Sequence, residues 1–164
     1  MTPIGQNQLV ASEVEVVAAN AGDESILRNL LELYLHDFSE MTGADVDAHG
    51  LFGYRWLDSY WTEPDRHPFL IRADGRLAGF ALVRSGTPHD MAEFFVLRKY
   101  RRSGVGLLAA RAVFAAFPGE WQVREMTANT GATAFWRTAI PVPFTEETVE
   151  MGPVQRFRLG EPGS

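Results

Sequence analysis

Hydrophobic positions change period several times along the chain, and each change marks an element. Between Glu24 and Phe38, the residues Ile26, Leu27, Leu30, Leu31, Leu33, Tyr34 and Phe38 recur at i, i+3 and i+4, the spacing of one helix face. Asp23 precedes that run in an N-cap position. Upstream, Glu13 to Ala18 alternates as a strand does. Pro68 to Arg72 and Leu77 to Arg84 are apolar runs on either side of Asp74-Gly75, a dipeptide suited to a tight hairpin turn. Met91 to Leu97 is nearly all apolar, which predicts a central strand covered on both faces. A second helix follows from Val105, with Val105, Leu108, Ala109, Ala112, Val113 and Ala116 on one side and Pro118-Gly119 as its stop. Trp121 to Thr127 is the next strand, parallel to its predecessor because a helix connects them in a right-handed crossover. A short helix from Thr130 or Gly131 to Thr138 and an antiparallel pair, Phe144 to Met151 with Val154 to Leu159, complete the pattern. Leu51 to Trp61 is rich in aromatics and fits neither period. The prediction is an α+β fold, a mixed sheet with helices on both faces.

Composition narrows the class. At 164 residues and 46% hydrophobic, the chain is expected to form one globular domain spanning residues 1–164. No apolar run approaches the roughly 18 residues of a membrane span. Met1 to Gln8 is polar and unlike a signal peptide, so a soluble, cytoplasmic protein without a membrane partner is expected. Cysteine is absent, which removes disulfides, thiolate metal sites and an acyl-cysteine intermediate together. The four histidines show no ligand spacing, and no metal is expected. Lys99 is the only lysine, a poorly placed candidate for a Schiff base. Net charge of −6 argues against nucleic acid as a partner.

Against that acidic background one segment reverses sign. Arg98, Lys99, Arg101 and Arg102 lead into Ser103-Gly104-Val105-Gly106 and the start of the second helix. Strand, cationic glycine turn and helix start, in that order, make a cradle for an anion, because main-chain N–H groups and the positive end of the helix dipole converge there. Gly104 and Gly106 lack a Cβ, so a phosphate can come close to the backbone. A Walker A loop is excluded, since no Gly-Lys-Ser/Thr follows. A dinucleotide fingerprint survives this far, with Ala109 at its third position and Glu125 near the place of its acidic residue.

The segment R-x-x-G-x-G from Arg101 to Gly106, preceded by Val96 and Tyr100, resembles the acetyl-CoA loop of the GNAT acyltransferase superfamily. About 25 residues later, Asn129-Thr130-Gly131-Ala132-Thr133-Ala134-Phe135-Trp136 resembles the same family's N-x-x-A-x-x-F-Y segment. The resemblance covers roughly residues 90 to 140. It implies a central mixed, mostly antiparallel sheet of six to seven strands, and transfer of an acetyl group from acetyl-CoA to an amine by direct attack in a ternary complex. It further implies that the backbone of Phe95, Val96 and Leu97 pairs with the pantetheine arm. The diphosphate would then lie on the N–H groups of Arg101, Arg102, Ser103, Gly104, Val105 and Gly106, with Asn129 near the arm. Asn129 is equally placed to cap a helix. The position where relatives often carry a proton-donating tyrosine is Trp136 here, whose indole N–H is a very poor acid. That departure leaves three routes for the thiolate (protonation by water, protonation by another phenol, Tyr60 or Tyr54, or departure unassisted), and it keeps open a non-catalytic acyl-CoA sensor.

Attack by an amine needs a proton acceptor, since the ammonium has a solution pKa near 10. Glu93, a carboxylate inside an apolar strand, is the candidate base; a salt bridge to Arg124 on the neighbouring strand, or exposure at a strand end, is its other reading. Val96 or Leu97 can offer a main-chain N–H to the carbonyl oxygen. Arg137 has two readings, a contact to the ribose phosphate of the cosubstrate and, the preferred one, a solvated helix face. Between Asn29 and Tyr54 there is no Lys or Arg, but there are Glu32, Asp37, Glu40, Asp45 and Asp47, followed by Phe52, Tyr54, Trp56, Tyr60 and Trp61. Acid plus aromatic faces suit a cationic amine, either a small molecule or a protein amine. The same residues also read as a solvated loop and a core cluster. Strands near Phe144 to Leu159 offer an edge through which a homodimer could pair.

Overall fold

In a computed structural model of the chain, residues 13–161 are described. The polar segment Met1 to Gln8 lies outside them. The strands are β1 (Val14–Ala18), β2 (Arg66–Ala73), β3 (Arg76–Arg84), β4 (His89–Val96), β5 (Gly119–Arg124), β6 (Thr145–Val149) and β7 (Gly152–Leu159). The helices are α1 (Glu24–Thr42), α2 (Ser59–Thr62), α3 (Val105–Ala116) and α4 (Thr130–Ala139). One sheet holds all seven strands in the order β1-β2-β3-β4-β5-β7-β6. Every pairing is antiparallel except β4 with β5. The mixed, mostly antiparallel α+β architecture is therefore as the pattern and the resemblance imply.

Strand alternation sorts the core into two layers. Leu70, Phe80 and Leu82 pack beneath α1 and α2 with Leu27, Leu31, Tyr34 and Tyr60. Their neighbours Ala81 and Val83 face the opposite way, toward Val113 and Phe114 of α3 and Trp136 of α4. Trp121 and Phe157 stack in that second layer with ring planes 2° apart.

Local details differ from the pattern for identifiable reasons. α1 continues past Phe38 to Thr42, where Gly43 ends it in the left-handed region at φ 70°. Asp23 holds the N-cap position of α1, but its carboxylate turns back to accept the Asn20 N–H at 3.1 Å. Of the aromatic stretch, only Ser59–Thr62 is helical. The buried stripe of α3 is Val105, Ala109, Ala110, Val113 and Phe114, while Leu108 is 54% exposed. Phe114 draws the face round because its ring fills the space between Trp121 and Phe157.

β4 departs most. Leu82 pairs with Glu93 and Val83 with Met91, so Ala92 has no counterpart on β3 and forms a bulge. Met91 thus faces the α3 layer and Phe95 the α1 layer, a reversal that plain alternation forbids. The prediction of a strand covered on both faces fails at Ala92, Glu93 and Phe94, which are only half-buried. They border open space.

Candidate active site

That space comes from a split in the sheet. β4 and β5 pair only at His89 with Trp121 and Asp90 with Gln122, and beyond these two rungs the strands separate. A groove of about 1270 Å³ opens there, with walls from α1, β4, the start of α3, the end of β5 and α4. On its β3 side β4 stays zipped: the Leu97 N–H donates to Ala78 O at 2.8 Å. A Cβ on Gly79 would lie 1.9 Å from Phe95 O, so that carbonyl leans over β3. Across a trans peptide the following N–H points the other way. The Val96 N–H therefore faces the open edge, while that of Leu97, the other candidate donor, is occupied.

The glycine turn sits at one end of the groove. Gly104 is the N-cap of α3 at φ 84°, without a side-chain cap, and a Cβ there would meet no atom within 4 Å. Helix geometry leaves the N–H groups of Val105, Gly106 and Leu107 without intrahelical partners, and the first ladder bond is Leu108 N–H to Gly104 O at 3.1 Å. Arg102 at φ 61° adds a second left-handed residue, so this backbone forms a nest of amides. Other parts of the motif work differently from the expectation. The Arg101 N–H bonds Arg98 O at 3.2 Å and is spent in the turn before the loop. Ser103 Oγ donates to Tyr100 O. Gly106 makes room for protein rather than ligand, since a Cβ there would lie 3.2 Å from the Phe135 ring. Two of the four cations are also engaged. Asp37 of α1 accepts from Arg98 at 2.8 Å and Arg101 at 2.6 Å, and Arg101 Nε donates to Val96 O at 2.9 Å. Burial pushes the Asp37 carboxyl upward, but the arginine hydrogen bonds prevail and hold it below its usual value.

Glu93 lies where β4 leaves β5, aimed by the bulge into the groove beneath α1. Tyr34 O–H donates to one carboxylate oxygen and Tyr54 O–H to the other, the latter at 3.4 Å. Burial raises the Glu93 carboxyl above its ordinary value; the two phenols pull it partly back, Asp90 adds to the rise and Arg124 opposes it. Arg124 pairs with Asp90 at 2.6 Å, so the salt-bridge reading of Glu93 is replaced by a carboxylate between two phenols. The phenols themselves are pushed above the usual tyrosine value, chiefly by burial and then by Glu93. They act as hydrogen-bond donors.

The remaining expected residues divide. Phe95 packs in the α1 layer, Asn129 and Trp136 line the groove, and Asn129 Oδ1 also caps α4 by accepting the Ala132 N–H at 3.1 Å. Trp136 is 6% exposed, with its ring 5.0 Å from Phe94. Tyr60 is 4% exposed beside Arg66, away from the groove lining. Arg137 binds Glu146 through two hydrogen bonds, of 2.9 and 2.6 Å, on the outer surface. Of the acidic run, Glu32 anchors the Phe52 and Gly53 N–H groups and Asp47 caps its own loop, leaving Glu40 and Asp45 at the groove. One groove residue escaped sequence reasoning and another was read for a different role. Tyr34 read as core because its spacing is that of the apolar stripe. Glu125, weighed only as the acidic residue of a dinucleotide fingerprint, shares the parity of Trp121 and Val123, a signal of burial, and is 7% exposed.

The sequence profile of the Acetyltransferase (GNAT) family matches residues 27–139, and the chain belongs to that family. No curated protein sequence matches the chain. Among solved structures it is similar to an acetyltransferase from Thermus thermophilus, 15% identical over 90% of this chain and 97% of that one, with a TM-score of 0.68. It is also similar to the PaiA N-acetyltransferase of Thermoplasma acidophilum in complex with coenzyme A (14%; 89% and 99%; 0.61). A ribosomal-protein alanine N-acetyltransferase from Escherichia coli is similar at 13% identity (93% and 97%; 0.62). The described residues contain no helix long and apolar enough to cross a membrane.

Proposed function

We propose that this protein transfers an acetyl group from acetyl-CoA to a primary amine, with Glu93 as the base. The observation that carries the reading is the half-buried Glu93 carboxylate at the mouth of the split between β4 and β5, on the same strand as the outward Val96 N–H. The residues present fit the cosubstrate: the open Gly104 turn, the unpaired amides at the start of α3 and the Arg102 side chain suit a diphosphate, and the unzipped edge of β4 suits an extended arm. When bound, acetyl-CoA supplies an acyl carbon open to attack and a sulfur able to depart. Val96 N–H stabilises negative charge on a carbonyl oxygen. Glu93, with its carboxyl raised by burial, accepts the amine proton at neutral pH. Glu40 and Asp45 at the rim attract a cation, so the acceptor is a small-molecule or protein amine.

Trp136, in place of a phenol, favours a second reading as an acyl-CoA sensor without turnover. One experiment separates the two. Incubation with acetyl-CoA and a panel of amines, read by thiol release, is expected to give free CoA in proportion to acylated amine. Calorimetric binding of acetyl-CoA with no release for any amine selects the sensor. Absence of binding at millimolar concentration removes both.

A further inference from the structure

The last rung between the parallel strands β4 and β5 joins Asp90 to Gln122. One same-face step beyond it, counting the bulge at Ala92, lie Glu93 on β4 and Arg124, the final residue of β5. Both belong to the α1 side of the sheet. Glu93 pairs with Leu82, which packs under α1, and Arg124 follows Val123, which packs in the opposite layer. A carboxylate and a guanidinium thus face each other across the mouth of the split, and both residues line the groove. They do not pair. Glu93 is engaged by Tyr34 and Tyr54, and Arg124 Nη2 donates to Asp90 Oδ2 at 2.6 Å. That bond uses one guanidinium N–H, and the others have no partner among the described residues. Asp90 is buried while the Arg124 side chain is 58% exposed, so a fixed partner holds one edge of the guanidinium and the rest is accessible. Neutralising Asp90 accounts for that one bond. It does not account for a cation at the mouth of the split, opposite the base, with donors to spare.

We propose that Arg124 binds a carboxylate carried by the acceptor itself, so that the substrate is an amino acid rather than a simple amine. This rests on the N-acetyltransferase reading above and names the substrate class of that site. A zwitterion carries its two charges on separate groups of one small molecule, and here the complementary charges stand on the two strands that border the split. With the amino group at Glu93 and the carboxylate on Arg124, the nitrogen is held beside the outward Val96 N–H, where the acyl carbonyl is received. The wider groove has the same polarity, since Glu40 and Asp45 lie on its α1 wall and Arg124 on its β5 wall. A simple amine satisfies only the negative side. Guanidinium and carboxylate are matched in shape, and two parallel N–H···O bonds give direction as well as attraction. Asp90 is then a positioning residue, which presents the fork. Burial raises the Glu93 carboxyl and Arg124 is among the groups that oppose the rise, so the two charges share one field.

The test is a matched panel. The common α-amino acids, β-alanine and γ-aminobutyrate are assayed with acetyl-CoA, each beside the amine left when its carboxyl is removed. For the best acceptor, wild type is expected to favour the amino acid about 30-fold in kcat/KM, chiefly through KM. In Arg124→Gln that preference should collapse to within about threefold. The ratio compares two substrates on one enzyme, so a loss of folded protein does not move it. Arg124→Lys keeps a charge beside Asp90 without the fork and should retain only part of the preference. A wild type that acylates the simple amines as well as the amino acids overturns the proposal and leaves the acetyltransferase reading intact. A preference that survives in Arg124→Gln does the same. Failure of wild type to release CoA with any acceptor sinks that reading, and this assignment with it. If Arg124→Gln does not fold, the same ratio decides in Arg124→Lys and in Asp90→Asn combined with Arg124→Gln, which leaves no buried charge unpaired.

Discussion

The two ends of the groove are made of different material. At the loop end, main-chain amides, an open glycine and arginines lie within one short stretch, Arg98 to Leu107. At the inner end, side chains converge from α1, β4, β5, α4 and the loop before α2. An anion is gripped by what every residue carries, so the loop end can be written as a local motif. Proton transfer depends on a few side chains brought together from distant parts of the chain. The loop end should therefore govern affinity and the inner end turnover.

The strongest way to break that division is Glu93→Gln. It is expected to lower kcat about 100- to 1000-fold while the calorimetric affinity for acetyl-CoA stays unchanged; loss of affinity would join the two ends into one site. The same variant tests the electrostatics. A carboxyl whose folded pKa is raised contributes stability that is complete below its unfolded value, near 4.5, and is lost as pH rises through the folded value. Glu93→Gln should therefore be more stable than wild type at pH 8, with a flatter melting temperature between pH 4 and 8.

Gly104→Val attacks the other end. A β-branched residue at φ 84° costs about 1–2 kcal/mol, so CoA is expected to bind about tenfold more weakly while pantetheine, which lacks the diphosphate, is unaffected. Equal loss for both ligands would place the strain outside the anion cradle. Tyr34→Phe sharpens the inner end. It removes a hydrogen bond that favours the ionised Glu93, so the acid limb of the pH–rate profile should move to higher pH and kcat at pH 7 fall by about tenfold. Arg137→Ala is the smallest. Its solvent-screened pair with Glu146 should leave the melting temperature almost unmoved and kcat/KM within twofold of wild type.

Legibility in the sequence follows the same division. Apolar period located every strand, and the glycine turn was visible because its parts are contiguous. Glu93 was visible as a charge in an apolar run, but its neighbours were not. Tyr34 is 59 residues away and follows the helical period like any core residue. Arg98 and Arg101 read as free cations because Asp37, 61 and 64 residues earlier, gives no local sign of reaching them. The bulge at Ala92 also left no trace, since an extra residue in a strand alters register against β3 rather than composition. That single insertion turns Glu93 toward α1 while Met91 faces α3.

The joint between β4 and β5 has a mechanical consequence. Four strands lie on one side of it and three on the other, joined laterally by two rungs. Such a sheet behaves as two stiff plates riveted at one corner, and whatever slides into the notch acts as the missing rivets. Seating the cosubstrate should then slow amide exchange in β5 and β7 well beyond the residues it touches.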